Sequence, residues 1–399
     1  MKTSNNLPLI VLLGAIAALT PLAIDMYLPA MPTIGKDLGA SESAVQITLA
    51  LYTAGFALGQ LFFGPLADAF GRKPVLLFGI AAFAVTSLLC ATSVDIAQLK
   101  SFRLAQGLSG AAAAVIIQAL VRDMFERSEF ARIMAFITLV MTVAPLVAPV
   151  LGGYVSVHLG WKAIFYGLSV FATLTLAAVY WRIPETLQAE NRQPLRIGVT
   201  LRNYLKLLSN PSALGYVLCS AFSFCCMMTF LTTGPYVYIQ YFGIREEHFG
   251  FYFALNIVCL SLFTVFNGKM VRKLGSATML NIALCIQVVS GLAMVAAYFL
   301  NLGLWGTVVP VMMTVGVMSI IGSNTMACLL NNYPNMAGTA SAIAGTMRFG
   351  VGACVSAIVA LIPGTSSLPM ALTIAVCACL SAFFYMGVAR RAEMRASNE

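Results

Sequence analysis

A lone carboxylate inside a greasy run is the first feature of this chain that can do chemistry. Asp25 is the only charged residue between Leu7 and Pro29, a stretch long enough to cross a bilayer as a helix. A charged side chain at the centre of the hydrocarbon costs about 2.5–3.5 kcal/mol even on insertion-based scales, so such residues mark ion and proton pathways. Two bases also fall in apolar runs: Arg103 within 98–121 and Arg348 within 337–361. One acid and two bases in otherwise apolar segments point to transport, with Asp25 and Arg103 as the proton-coupling pair. Counting residues from the membrane edges places these two charges at similar depth in the outer third of the bilayer. Loss of water opposes a carboxylate and a nearby guanidinium favours it, which suits an acid that must both gain and lose a proton. The alternative for Arg103 is to reach outward to the membrane surface.

These side chains require membrane-crossing helices to position them. Hydrophobic residues make up 60% of the 399 and charged residues 9%, against about 25% charged in a soluble domain. Lipid satisfies no backbone polar groups, so the spans are expected to be helical. Twelve runs qualify, at 7–29, 45–67, 74–93, 98–121, 133–156, 162–182, 213–239, 249–268, 277–299, 304–329, 337–361 and 368–389. The first is longer than a signal-peptide core of about 7–15 residues and lacks a small-residue cleavage site, so it is expected to be retained.

The net charge of +9 is an orientation signal rather than a nucleic-acid footprint. With the N-terminus inside, only Lys36, Lys100, Lys162 and Arg245 of the 23 Lys and Arg fall outside, with Arg103 and Arg348 in the membrane. The positive-inside rule then puts both termini in the cytoplasm. The ten cysteines lie in the spans and the two histidines, His158 and His248, in outer loops. No metal-ligand spacing appears, and buried Cys acts as a small hydrophobe. No metal, disulfide or cofactor is expected.

The polar stretch 184–211 separates residues 1–183 from 212–399, six spans each, and its part 201–208 has the spacing of a helix lying on the inner membrane surface. The loop Gly64–Lys73 is echoed by Gly268–Gly275, with glycines seven apart in both. Paired halves of this kind suit a transporter whose substrate site lies near the membrane midplane.

Several motifs carry possible function. Gly64, Asp68 and Arg72 can form a conformational latch, with Arg72 bridging Asp68 to Asp123 and Asp68 capping a neighbouring helix N-terminus; the bland reading is a short turn obeying the charge rule. In the fifth span, Pro145 and Pro149 free backbone carbonyls and are expected to bend the helix, while Gly152 and Gly153 allow close packing; a plain packing kink is the alternative. Arg103-Leu104-Ala105-Gln106-Gly107 places a base, an amide and a glycine on one span. Arg348 either binds substrate or bonds backbone carbonyls. Gln118, Tyr236, Tyr238, Asn256 and Asn324 are further candidates for a substrate cavity, although buried Asn and Tyr commonly bridge helices.

These motifs, together with Ile24–Ala30, Pro184-Glu185-Thr186-Leu187, Phe251–Asn256 and Ala337–Gly350, resemble the major facilitator superfamily, and within it the Bcr/CflA group of drug:proton antiporters. The resemblance runs along nearly the whole chain. It implies an all-α major facilitator fold of twelve transmembrane helices in two six-helix bundles. It also implies export of drugs or other small amphipathic molecules, in exchange for protons, across the bacterial inner membrane by a functional monomer. The pattern departs from the group at Ala144, where glycine is usual, and at Gly14–Ala18, where some related exporters carry a second acid. The rival within the same fold is a proton-coupled symporter importing a small nutrient. An enzyme lacks a nucleophile or metal set in the spans, and a channel lacks a continuous polar stripe.

Overall fold

The computed structural model describes residues 7–192, 195, 197–333, 336–362 and 366–396; Lys2, Pro194, Arg196, Pro334 and Asn335 lie outside them. Twelve helices are long and apolar enough to cross a membrane: Leu7–Asp25, Glu42–Phe70, Arg72–Thr92, Ile96–Met124, Glu129–Leu159, Lys162–Arg182, Pro211–Tyr241, Glu246–Leu274, Ser276–Phe299, Gly303–Asn332, Gly338–Ala360 and Leu368–Arg395. They are called spans one to twelve below. Among the described residues there is no strand.

Local chemistry starts these helices. Ser41 caps span two by accepting from the Ala44 amide, and Asp95 caps span four by accepting from that of Gln98. Asn210 caps span seven with Pro211 in its first position. Each supplies an acceptor to an amide that the helix leaves unpaired. Inside the spans, hydroxyls turn back onto their own helix: Thr53 donates to the Leu49 carbonyl and Ser109 to that of Ala105. That leaves few polar atoms to face lipid. Large side chains such as Phe78, Leu262 and Val289 are exposed instead.

The chain divides into two compact units: one comprises residues 1–196 with Glu246–Gly250, the other Ile197–Arg245 with Phe251–Glu399. The short helix Ile197–Leu208 groups with the second unit, burying Tyr204 and Leu207. The repeat read from the loops recurs in the backbone. Gly71 (φ 105°, ψ 155°) joins span two to span three, and Gly275 (φ 77°, ψ 159°) joins span eight to span nine. A positive φ at both corners explains why glycine stands there.

The elements depart from expectation in two places. Span one stops at Asp25, residues 26–30 form turns, and a short helix Met31–Asp37 follows. The cause is local: Pro29 has no N–H to donate to the Asp25 carbonyl and disfavours helical geometry at Leu28, while Pro32 fits the first turn of the next helix. Asp25 therefore ends a helix instead of sitting within one. Span ten is interrupted at Val317, between Gly303–Gly316 and Met318–Asn332. Span five stays helical from Arg127 to Leu159 through both Pro145 and Pro149.

Candidate functional site

Arg103 is fully buried in the first unit. Its Nη1 donates to the Ala23 carbonyl (3.1 Å) and to Gln106 Oε1 (2.7 Å). Gln106 Nε2 donates in turn to Ser87 Oγ (2.8 Å), and Ser87 to the Phe83 carbonyl (2.6 Å). The rings of Tyr52, Tyr27 and Phe165 lie 4.4, 4.5 and 5.7 Å from the guanidinium carbon. Nε and Nη2 have no hydrogen-bond partner.

The motif spacing explains this assembly. Arg103 and Gln106 are three apart and share a helix face. Gly107 then lets span four meet span two: a Cβ there would strike the Tyr52 carbonyl, just as one at Gly55 would strike the Leu104 carbonyl. With the two backbones this close, Tyr52 is carried over the Arg103 guanidinium. Tyr27 is fixed on the other side by a 2.6 Å hydrogen bond between its hydroxyl and Thr48 Oγ1.

Asp25 is also buried, at 4% exposure. The expected ion pair between Asp25 and Arg103 is not formed. Ion pairs among the described residues include Arg72–Asp68, Arg72–Asp123 and Arg122–Asp123, and none involves Asp25 or Arg103. Arg103 instead reaches the backbone carbonyl of Ala23, two residues before Asp25, and its outward reach to the surface is excluded by its burial. A carbonyl, an amide and three ring faces surround the guanidinium instead. Asp25 sits at the C-terminal end of span one, where the helix dipole gives a negative charge no support. Gly152 in span five packs directly on this corner, since a Cβ there would overlap the main chain of Met26. Gly153 faces the main chain of Glu246 and Glu247 instead, Pro149 is buried and Pro145 is half-buried.

The latch residues come together at the loop end of the first unit. Arg72 Nη1 lies 2.6 Å from Asp68 Oδ1, and Arg72 Nε 3.6 Å from Asp123 Oδ2. Gly64 lies in span two facing Val115. The expected capping role falls to a different acid. Glu185 Oε1 accepts from the Arg72 amide at the start of span three (3.0 Å) and from the Leu187 amide (2.9 Å), while Asp68, near the end of span two, meets Arg72 across the Gly71 corner. Thr186 donates to Asp123 (3.3 Å), and Lys73 Nζ to the Tyr180 carbonyl (2.8 Å). Glu185 carried a sequence signal, the Pro-Glu-Thr-Leu stretch, but no assigned role.

In the second unit the cavity candidates separate. Arg348 is half-buried; its Nη2 donates to Ser220 Oγ (3.1 Å) and its guanidinium lies 5.9 Å from the Phe224 ring. Asn324 donates to Asn267 Oδ1 (2.9 Å) and to the Ile320 carbonyl (2.8 Å), which bridges spans ten and eight. Asn256 is 2% exposed, and neither of its amide atoms has a partner. Tyr236 and Tyr238 are buried where span seven ends in a π-helical turn, Tyr236–Tyr241. Gln118, in the first unit, is exposed. A cluster without any sequence signal forms around Glu393, whose Oε1 accepts from Asn332 Nδ2 (2.7 Å), Tyr216 Oη (2.8 Å) and Ser212 Oγ (3.5 Å). It ties together the ends of spans twelve, ten and seven.

Comparison with known proteins places this geometry. A family model described as Major Facilitator Superfamily matches residues 13–357. A bicyclomycin resistance protein homolog of Haemophilus influenzae is 41% identical, covering 94% of each chain. A chloramphenicol resistance protein of Pseudomonas aeruginosa is 28% identical, over 90% of this chain and 86% of its own. The crystal structure of a D-xylose-proton symporter superposes with a TM-score of 0.75 over 96% of this chain and 97% of that one, at 15% identity. At that identity the likeness is one of fold.

Proposed function

The chain belongs to the Major Facilitator Superfamily, a family of multi-pass membrane transporters, and on that footing we propose that it exports small drug-like molecules in exchange for protons. The observation that carries the coupling is Asp25, a buried carboxyl outside every ion pair of the described residues. An acid without a fixed counter-charge is not locked in its ionised form, so it can take up a proton and release it where water or substrate supports the carboxylate. The names of the relatives supply the substrate class, since two of them are resistance proteins.

In this account Asp25 accepts a proton from the outer side. It loses that proton inward when substrate binds from the cytoplasmic side, and Arg103 keeps the electrostatics of the corner constant. Gly152 transmits movement of span five to the Asp25 turn. The Arg72 cluster holds the cytoplasmic ends of spans two to four in register during the cycle. Substrate contacts fall to the second unit, with Arg348 and Asn256 the foremost candidates. Asn324 is committed to a helix bridge and is the weaker choice, as is the exposed Gln118. The protein acts as a monomer in the bacterial inner membrane with both termini in the cytoplasm, and it needs no cofactor beyond the proton gradient.

Inverted membrane vesicles energised by respiration test this reading. Addition of an exported drug to the medium should make the acidic lumen more alkaline. If no compound of a structurally diverse antibiotic panel does so, or if a nutrient acidifies the lumen instead, export by antiport is wrong.

A further inference from the structure

Burying a guanidinium without a carboxylate partner is costly unless something else answers its charge. Arg103 presents five N–H hydrogens. Those on Nη1 are engaged by the Ala23 carbonyl and Gln106, whereas Nε and Nη2 have no acceptor. The faces of Tyr52, Tyr27 and Phe165 lie within 4.4–5.7 Å of the guanidinium carbon. Aromatic faces attract a cation, most strongly when both are removed from water. Tyr27 and Tyr52 are fully buried, as is Phe165.

We propose that Tyr27, Tyr52 and Phe165 serve as the standing counter-charge of Arg103 and position it, so that Asp25 is left free to exchange its proton. The proposal rests on the reading of Asp25 as the coupling acid. If Asp25 were the permanent partner of Arg103, its protonation would strand a buried cation, and each transport cycle would have to overcome that cost. With the rings in place the cation stays compensated in both protonation states. The three rings are positioning residues acting through Arg103. Tyr27 is the natural link, two residues past Asp25 and anchored by its own hydroxyl to Thr48 at 2.6 Å. The titratable groups around the guanidinium are these two tyrosines and Cys90, whose sulfur lies 3.9 Å from Gln106 Oε1. Asp25 stands close enough to Tyr52 to act on it electrostatically and completes the set.

A double-mutant cycle on the full-length protein in detergent tests the cage without reference to transport. Tyr52→Leu and Tyr27→Leu are each made in the native background and with Arg103→Met, and Phe variants of both tyrosines keep the ring. A desolvated cation–aromatic contact should give a coupling of about tenfold or more in the unfolding equilibrium. The Leu variants should therefore destabilise the native protein by that factor more than the Met background, and Phe should recover it. Drug-induced proton release from vesicles is then followed against pH. Its midpoint should move in the Leu variants and return in the Phe variants.

Equal costs in the two backgrounds would overturn the cage, because the rings would then act only by packing. Coupling in stability with an unmoved pH profile would overturn its role in proton exchange. If the tyrosine variants do not fold, Phe165→Leu, which removes the most distant ring, is carried through the same cycle with the same two outcomes. Should proton release persist in Asp25→Asn, the reading of Asp25 fails separately and the stability cycle stands by itself.

Discussion

Replacing both acids of the Arg72 cluster should cost more than the sum of replacing each. The guanidinium side is 8% exposed, Asp68 48% and Asp123 21%. Asp68→Asn removes the 2.6 Å contact but leaves Asp123 at 3.6 Å, and the converse holds for Asp123→Asn. With one acid still present and Asp68 half in solvent, each single change should cost about 1 kcal/mol, the upper end for a screened pair. The double change leaves a nearly buried guanidinium without an ion-pair partner. Full loss of a buried pair costs about 3–5 kcal/mol, and the exposure of Asp68 reduces this to about 3 kcal/mol. The excess over the two single changes is then about 1 kcal/mol, within the range for residues sharing one network. Thermal or denaturant unfolding of the four proteins in detergent gives the cycle directly. Strict additivity, or a double variant as stable as either single one, would refute the view that the two carboxylates share Arg72.

Three further outcomes follow from particular contacts. Gly152→Val should destabilise by about 1–3 kcal/mol, the usual cost of overpacking, and sharply reduce export, because its side chain would overlap the Met26 main chain; native melting and native export in that variant would show that the corner tolerates a side chain. Glu393→Ala should lower stability by about 1–2 kcal/mol, since it leaves the Tyr216 and Asn332 donors unpaired, while Glu393→Gln, which keeps an acceptor, should recover most of it; identical melting of the two variants would remove the cluster from the account. Glu185→Ala should cost about 1 kcal/mol through loss of the acceptor at the start of span three, read as a lower melting temperature that Glu185→Gln partly restores.

The spans were legible because membrane helices advertise themselves by length and hydropathy, and the twelve expected runs coincide with the twelve helices to within a few residues. The breaks were less so. Pro29 and Pro32 signalled an irregular exit from span one, yet the end at Asp25 depends on how the turn packs under Gly152. Val317 carries no breaking residue of its own. Within the candidate site, Asp68 and Arg72 could be paired from the sequence because they flank one short turn. The depth of Arg103 followed from counting, but its partners did not. They depend on the rotation of span four and on how closely glycines 55 and 107 let two backbones approach. Spans that are apolar on most faces give little period from which to read rotation. Glu185 and Glu393 escaped because each acts at a helix end through groups distant in sequence.

Drug-induced alkalinisation of the lumen of inverted vesicles, compared between the native protein and Asp25→Asn at equal amounts of inserted, folded protein, tests the central claim most directly. The neutral isostere keeps the size of the side chain and removes its proton exchange, so the drug-dependent signal should vanish in the variant while the native protein gives it in full. Undiminished alkalinisation in Asp25→Asn would mean that the proton travels by another group, and Asp25 would have to be given up as the coupling site.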